Sequence, residues 1–223
     1  MKLFWAMVDP ETGGTAGYYE NERREIALLV PHDARRILDV GCGRGSLGAV
    51  LKQQAPGRHV TGIEVKPEIA HDAGRVLDRV ITGDIQSLDA SSLAGPYDCI
   101  ICADVLEHLR DPAAALQRLR AHLAPSGLLV CSIPNIRHYT AIIRLVTRGW
   151  SYDDFGLFDR THLRFFSRQS MIQMLTDGGF VVVRTAPRII ASRKMRALNR
   201  LAGGSLEEFL ALQYLLTARP SDR

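Results

Sequence analysis

A regular alternation of short apolar, β-branched runs with segments of helical spacing is the feature that most constrains this chain. RILDV (36–40) ends in a glycine loop and is followed by a helical segment from Ser46 to about Gln54. HVTGIEV (59–65) reads as a second strand, and Pro67 suits the first turn of a helix running towards Leu77. RVITGD (79–84) and YDCIICAD (97–104) read as the third and fourth strands, with Asp111-Pro112 as the cap and first residue of the next helix. After a Pro125-Ser126-Gly127 turn, LLVCSIP (128–134) is a fifth. Residues 168–177 predict a helix stopped by Gly178-Gly179, which releases the strand FVVVRTA (180–186). An arginine-studded helical segment occupies 188–201, and FLALQYLLTA (209–218) suits either helix or strand. Such alternation predicts an α/β fold, a parallel sheet with helices on both faces. Ligands of these sheets bind outside the carboxyl ends of the strands, so the residues that follow each strand carry the functional information.

The loop after the first strand is DVGCGRGS, a GxGxG pattern of Gly41, Gly43 and Gly45 preceded by Asp39. A dinucleotide fingerprint would want glycine where Ser46 stands, and no Tyr-x-x-x-Lys of a dehydrogenase is recognisable. Glycines here admit a ligand close to the backbone. Glu64 ends strand two, where a carboxylate can accept both hydroxyls of a ribose. Asp84 ends strand three, where it can accept from an adenine amino group. A glycine loop and two acids at successive strand ends make a stronger signal than any one of them.

With LDVGCGRG (38–45), GIEV (62–65), GDI (83–85), YDCIICADVLEHL (97–109) and LAPSGLLVCSIPN (123–135), the chain resembles the class I S-adenosylmethionine-dependent methyltransferases from about Arg36 to Phe180. The resemblance implies a Rossmann-like, doubly wound, mostly parallel seven-stranded sheet. It implies that the glycine loop holds the methionine part of the cofactor, that Glu64 binds ribose and that Asp84 contacts adenine. Asp39, Gly41, Gly43, Gly45, Val65, Ile85 and Ala103 complete the cofactor set it implies. Upstream, GYYENERREIALLVP (17–31) reads as an amphipathic helix whose Tyr18 and Tyr19 close over the cofactor or pack on the sheet.

In ADVLEHL, Asp104, Glu107 and His108 stand at i, i+3 and i+4, one face of a helical turn. Two carboxylates and an imidazole there suit a divalent cation, Mg or Mn, or a general base held by acids. Ubiquinone-pathway O-methyltransferases and small-RNA 2′-O-methyltransferases carry a similar acid-x-x-Glu-His motif that binds a metal. In the RNA group a downstream histidine completes the site, and His162 in FDRTHLRFF lies in a corresponding place. Asp104 stands where those motifs have glutamate. The resemblance therefore implies Asp104, Glu107, His108 and His162 as metal ligands, with His108 and His162 catalytic.

The insert 135–167 reads as an acceptor wall, with Arg137, His138, Tyr139, Asp159 and Arg164 as candidate acceptor contacts and TAIIRLV (140–146) as simple packing. The run PNxxH…GLxDxTHLRFF is similar to methyltransferases associated with glycan and polysaccharide assembly. The expected acceptor is therefore a hydroxyl of a sugar or glycan precursor, with quinone-like small metabolites, RNA ends and a non-catalytic cofactor-binding subunit as rivals.

A net charge of +4 and a pI near 9.0 tolerate an anionic partner without demanding nucleic acid, and no nucleic-acid module is recognisable. Contact of the basic segment 188–200 with an anionic acceptor or a membrane surface is the functional alternative to a solvated helix face. Cys42, Cys99, Cys102 and Cys131 lie in apolar, strand-like runs and read as buried free thiols. MKLFWAMVDP is too short for a signal-peptide core and no 18-residue apolar run occurs, so one cytoplasmic methyltransferase domain spanning 1–223 is expected.

Overall fold

The computed structural model describes residues 23–190 and 192–221. In chain order these form α1 (Arg24–Ala27), β1 (Arg36–Val40), α2 (Ser46–Gln54), β2 (His59–Glu64), α3 (Pro67–Ala73), β3 (Arg79–Thr82), β4 (Tyr97–Ala103), α4 (Pro112–Arg120) and β5 (Leu123–Pro134). There follow α5 (Tyr139–Arg148), α6 (Arg168–Asp177), β6 (Phe180–Ile189), α7 (Arg193–Leu201), α8 (Glu207–Leu210) and β7 (Ala211–Pro220). Single 3-10 turns occupy Ala90–Ser92 and Leu106–His108.

The seven strands make one sheet in the order β3-β2-β1-β4-β5-β7-β6. The first five pair in parallel, and β7 inserts antiparallel between β5 and β6. Strand order therefore steps outward in both directions from β1 and β4, which makes the gap beyond their carboxyl ends the topological switch point. Because successive strand residues face opposite sides, each strand feeds two cores. Ile37, Cys99 and Ile101 pack in a cluster with Leu47 and Leu51 of α2 and Ile26 of α1. Leu38, Ile100 and Cys102 pack on the other face with Leu116 of α4 and Met171 and Leu175 of α6. Cys99 and Cys102 thus point to opposite faces, and all four cysteines are buried and free.

Several sequence expectations change here. FLALQYLLTA resolves into the end of α8 and the strand β7, whose central place in the sheet buries both of its faces. The segment 188–201 is not one helix: β6 continues to Ile189, and α7 starts only after Ser192, whose side chain accepts from the Met195 amide. The Pro125-Ser126-Gly127 turn survives inside β5 as an irregularity, with pairing passing from Tyr97↔Leu123 to Cys99↔Leu128. TAIIRLV is helical but packs only at Ala141, against Leu157 and Phe158, and leaves Ile143 and Val146 exposed. Of the segment 17–31, the helix described is α1 alone, with Ile26, Ala27 and Val30 in the core; Tyr18 and Tyr19 lie outside the described residues. Among the described residues no helix is long and apolar enough to cross a membrane.

Candidate active site

The glycine loop closes over the end of β2. The Gly41 and Cys42 amides both donate to the Ile63 carbonyl, at 2.8 and 3.0 Å, and the Gly43 amide donates to the Glu64 carboxylate at 3.1 Å. The other Glu64 oxygen accepts from the Lys66 amide at 3.0 Å. Gly41, Gly43 and Gly45 have φ of 69°, 53° and 85°, the left-handed region that glycine enters at little cost. A Cβ on Gly41 would lie 2.7 Å from Val105 Cγ2, so this backbone approach to the turn after β4 requires glycine. Asp84 accepts from the Gln86 amide at 2.9 Å and caps the turn after β3, with Ile85 buried beneath it.

Asp39 is 2% exposed at the end of β1, and its Oδ2 has no hydrogen-bond partner among the described residues. Burial pushes its carboxyl up to about 7, opposed by the Arg23 charge and reinforced by Glu64. An orphaned buried carboxylate beside a glycine cradle, flanked by Glu64 and Asp84, fits a ligand that is cationic at one end and hydroxyl-rich at the other. S-adenosylmethionine is such a ligand, and Val65 and Ala103 border the same edge. Val65 lies open at 60% exposure.

Asp104 turns away from the position expected of it. Its backbone is left-handed, with φ of 55°, and the residues that follow form a 3-10 turn rather than an α-helical one. The carboxylate takes the Arg23 guanidinium, the Gln213 side-chain amide and the Ser132 hydroxyl, the last at 2.9 Å. Arg23 also donates to Glu25 at 2.9 Å and to Ser132 Oγ at 2.8 Å. This network absorbs Asp104, so Asp104 does not join the histidines. Arg23, Ser132 and Gln213 went unnoticed in the sequence because Arg23 reads as one charge of a solvated ERR run and the other two sit inside apolar strands.

Glu107, His108 and His162 do converge, each offering a ligating atom within 4.8 Å of the others. Glu107 is 1% exposed, and both of its carboxylate oxygens lack partners among the described residues. Burial, with the Asp104 charge adding, pushes its carboxyl well above the ordinary carboxylate range. Its carbonyl accepts from the Leu163 and Arg164 amides at 2.9 and 3.0 Å, which pins the 157–166 segment against the turn after β4. His108 Nδ1 lies 3.1 Å from the Thr161 carbonyl, and His162 Nδ1 lies 3.4 Å from the Leu157 carbonyl. A carbonyl can only accept, so the tautomer that satisfies both contacts has its proton on Nδ1 and leaves Nε2 as the acceptor. The rings meet edge-on with centroids 4.7 Å apart. Burial, helped by His108, lowers the His162 pKa and favours its neutral form. A cavity of ≈ 10 Å³, about one water's space, opens beside Glu107 and His162, lined further by Ile136, Leu157 and Phe165.

The other acceptor candidates serve the scaffold. Asp159 accepts from the Thr161 amide and hydroxyl at 2.7 and 2.6 Å and so shapes the turn that delivers His162. Arg164 donates through Nε to the Arg110 carbonyl at 3.1 Å, and Arg137 pairs with Glu208 at 3.0 Å and lies over the Phe209 ring. His138 is fully buried, with Nδ1 2.7 Å from Thr140 Oγ1, and burial lowers its pKa to about 4; it packs rather than faces an acceptor. The Tyr139 ring lies tilted against it, with centroids 4.5 Å apart. Phe158 and Phe166 are buried anchors, whereas Leu163 is exposed.

A family model described as a methyltransferase domain matches residues 17–185, about three quarters of the chain. The chain belongs to the S-adenosylmethionine-dependent methyltransferases. It is 31% identical over 191 residues to the ubiquinone biosynthesis O-methyltransferase of Psychrobacter arcticus, covering 81% of this chain and 70% of that one. Against the enzyme of the same name from Xylella fastidiosa (strain 9a5c), identity is 38% over 117 residues, 49% of this chain and 46% of the relative. The chain spans about half the length of the first curated relatives it matches. A SAM-dependent methyltransferase from Archaeoglobus fulgidus shares the fold, with a TM-score of 0.64 at 19% identity over 93% of this chain and 95% of that chain.

Proposed function

We propose that this methyltransferase methylates a hydroxyl oxygen of a small ring-bearing acceptor. The observation that carries the reading is the convergence of two imidazole rings and an unpartnered carboxylate at the end of β4. Methyl transfer to oxygen requires that the hydroxyl lose its proton, and an Nε2 lone pair held by a fixed ring is a suitable acceptor for it. Bound S-adenosylmethionine supplies the electrophilic methyl group. The glycine loop, Asp39, Glu64 and Asp84 hold that cofactor, while the 157–166 segment positions the acceptor and excludes water.

Glu107, His108 and His162 also fit a divalent cation such as Mg²⁺ or Mn²⁺. Glu107 has oxygens to give, and each imidazole is oriented by a backbone carbonyl on its other nitrogen, as in protein metal sites. A cation there supplies positive charge that eases loss of the acceptor's proton. Asp104 has no place in this set.

Relatives named for ubiquinone biosynthesis support a hydroxylated aromatic acceptor. Trp150 and Tyr152, exposed beside Phe158 and Phe165, equally suit the face of a sugar, so a glycan hydroxyl is the second reading. The 135–167 insert is then the acceptor wall of one methyltransferase domain, and four buried free thiols accord with work in the cytoplasm. The test is a panel of catechol-like rings, sugars and nucleotide sugars with methyl-labelled cofactor, with and without a chelator. Label on an oxygen, lost on chelation and restored by Mg²⁺ or Mn²⁺, supports the cation-assisted version. Undiminished transfer under chelation leaves the histidines as bases, and label on nitrogen or carbon contradicts the reading.

A further inference from the structure

We propose that α5 and α7 together form a docking surface for an anionic lipid membrane, set at the acceptor edge of the sheet. Both helices are built the wrong way round for a protein core. In α5 the apolar positions Ile142, Ile143 and Val146 share a face, yet Ile143 is 56% and Val146 82% exposed, and Ala141 alone is buried. In α7 no residue is buried; Leu198 is 51% and Leu201 87% exposed. Eleven of the sixteen large exposed hydrophobic side chains among the described residues fall within 142–163 or 190–201. Scattered apolar side chains on a surface need no explanation, but a concentration of this kind marks a binding face.

The charge identifies the partner. Across α7 from Leu198 and Leu201 stand Arg193, Arg196 and Arg200, while Lys194 lies one turn before Leu198 on the leucine face, and the helix holds no acid. None of these four forms an ion pair among the described residues, whereas Arg137, Arg144 and Arg160 of the neighbouring insert are each paired to an acid. An apolar stripe backed by unneutralised basic residues is the make-up of a helix that lies in a lipid interface. A two-fold contact with a second copy would oppose like charges on these helices, which disfavours self-association as the occupant.

The two helices leave the sheet at one edge. Pro134 at the end of β5 pairs with Gln213 at the start of β7, and Gln213 pairs with Arg188 at the end of β6. The connections that carry α5 and α7 therefore spring from the same side as the glycine loop and the histidine pair. The Arg137–Glu208 ion pair, at 3.0 Å, ties the start of α5 to the connection that holds α7. Docked in this way, the enzyme would take its hydroxyl acceptor from the bilayer, a consequence that rests on the O-methyl transfer proposed above.

Flotation of the full chain with phosphatidylglycerol-containing vesicles and with pure phosphatidylcholine vesicles tests the docking itself, with no acceptor present. Binding to the anionic vesicles, weakened by salt, is expected. Arg193→Glu, Arg196→Glu and Arg200→Glu combined should weaken it roughly 100-fold, and Val146→Asp with Leu201→Asp should do so by about the same factor. Cofactor binding, measured calorimetrically on the same variants, should be unchanged and so separate lost docking from lost folding. Equal binding by variants and wild type would overturn the proposal. So would failure of the wild type to prefer anionic vesicles, including the case in which light scattering shows a dimer that Val146→Asp dissociates.

Discussion

The proposed cofactor side and the proposed acceptor side of this one sheet edge are held together by different means. On the cofactor side, main-chain amides of Gly41, Cys42, Gly43 and Lys66 lock the loop onto Ile63 and Glu64, and the helices that follow bury their apolar faces. On the acceptor side the 157–166 segment is held by two amides on the Glu107 carbonyl, the Ile136 amide on the Phe166 carbonyl, the buried rings of Phe158 and Phe166 and the Arg164 clamp on Arg110. Its neighbours α5 and α7 leave their apolar faces in the open. On the proposed roles, labour is divided: the cofactor is met by a backbone cradle and the acceptor by side chains on a loop.

If this division is real, substitutions on the two sides should fail in different ways. His162→Ala should lower kcat by between about a hundred- and ten-thousand-fold while leaving cofactor affinity unchanged, as read by turnover and calorimetry. Loss of cofactor affinity in that variant would break the division. Gly41→Ala should do the reverse. A Cβ 2.7 Å from Val105 Cγ2, at φ of 69°, displaces the loop, so cofactor affinity should fall about 100-fold, with about 1–2 kcal/mol of stability lost in denaturant titration.

Asp104→Ala sharpens the boundary. It strips a carboxylate from Arg23, which is largely buried, and should cost about 3 kcal/mol in unfolding free energy. Metal binding to Glu107, His108 and His162 should be unchanged, because Asp104 lies outside that set. A loss of metal affinity comparable to that in Glu107→Gln would return Asp104 to the site.

The smallest expected effect is a pH dependence confined to the cofactor side. Asp39 binds a proton in the free protein up to about pH 7, and a cationic ligand beside it favours the ionised form. Affinity for the cofactor should therefore be full above pH 7 and fall as pH drops below it, by at most about tenfold per unit. Asp39→Asn should flatten that slope. The stability sign for Asp39 alone is opposite: its folded pKa is raised above the unfolded value, so its contribution favours the folded state at low pH and is lost as pH rises through 7.

The same division governs how much could be read from the sequence. The strands β1 to β5, the glycine loop and the acids Glu64 and Asp84 were legible because local rules place them: β-branched runs, glycines at forced positive φ, an acid at a strand end. The pairing of Glu107 and His108 with His162, more than fifty residues away, was readable only through resemblance; no local rule brings the 157–166 loop over the end of β4. Asp104 was misread because spacing assumed an α-helical turn, and a left-handed residue before a 3-10 turn sends its side chain towards Arg23 instead. TAIIRLV has the periodicity of a packed helix, but periodicity says which residues share a face and not what that face meets. His138 and His162 look alike as sequence. One is shut in beside Thr140, and the other opens on a cavity next to an unpartnered carboxylate.

The central claim is that Glu107, His108 and His162 serve the transfer of a methyl group to oxygen. Its most direct test is mass spectrometry of a hydroxylated aromatic acceptor incubated with methyl-labelled S-adenosylmethionine and either wild type or His162→Ala protein. The account expects the label on the acceptor oxygen with wild type and almost none with His162→Ala at equal cofactor occupancy. Labelled nitrogen or carbon, or undiminished oxygen labelling by His162→Ala, would contradict it.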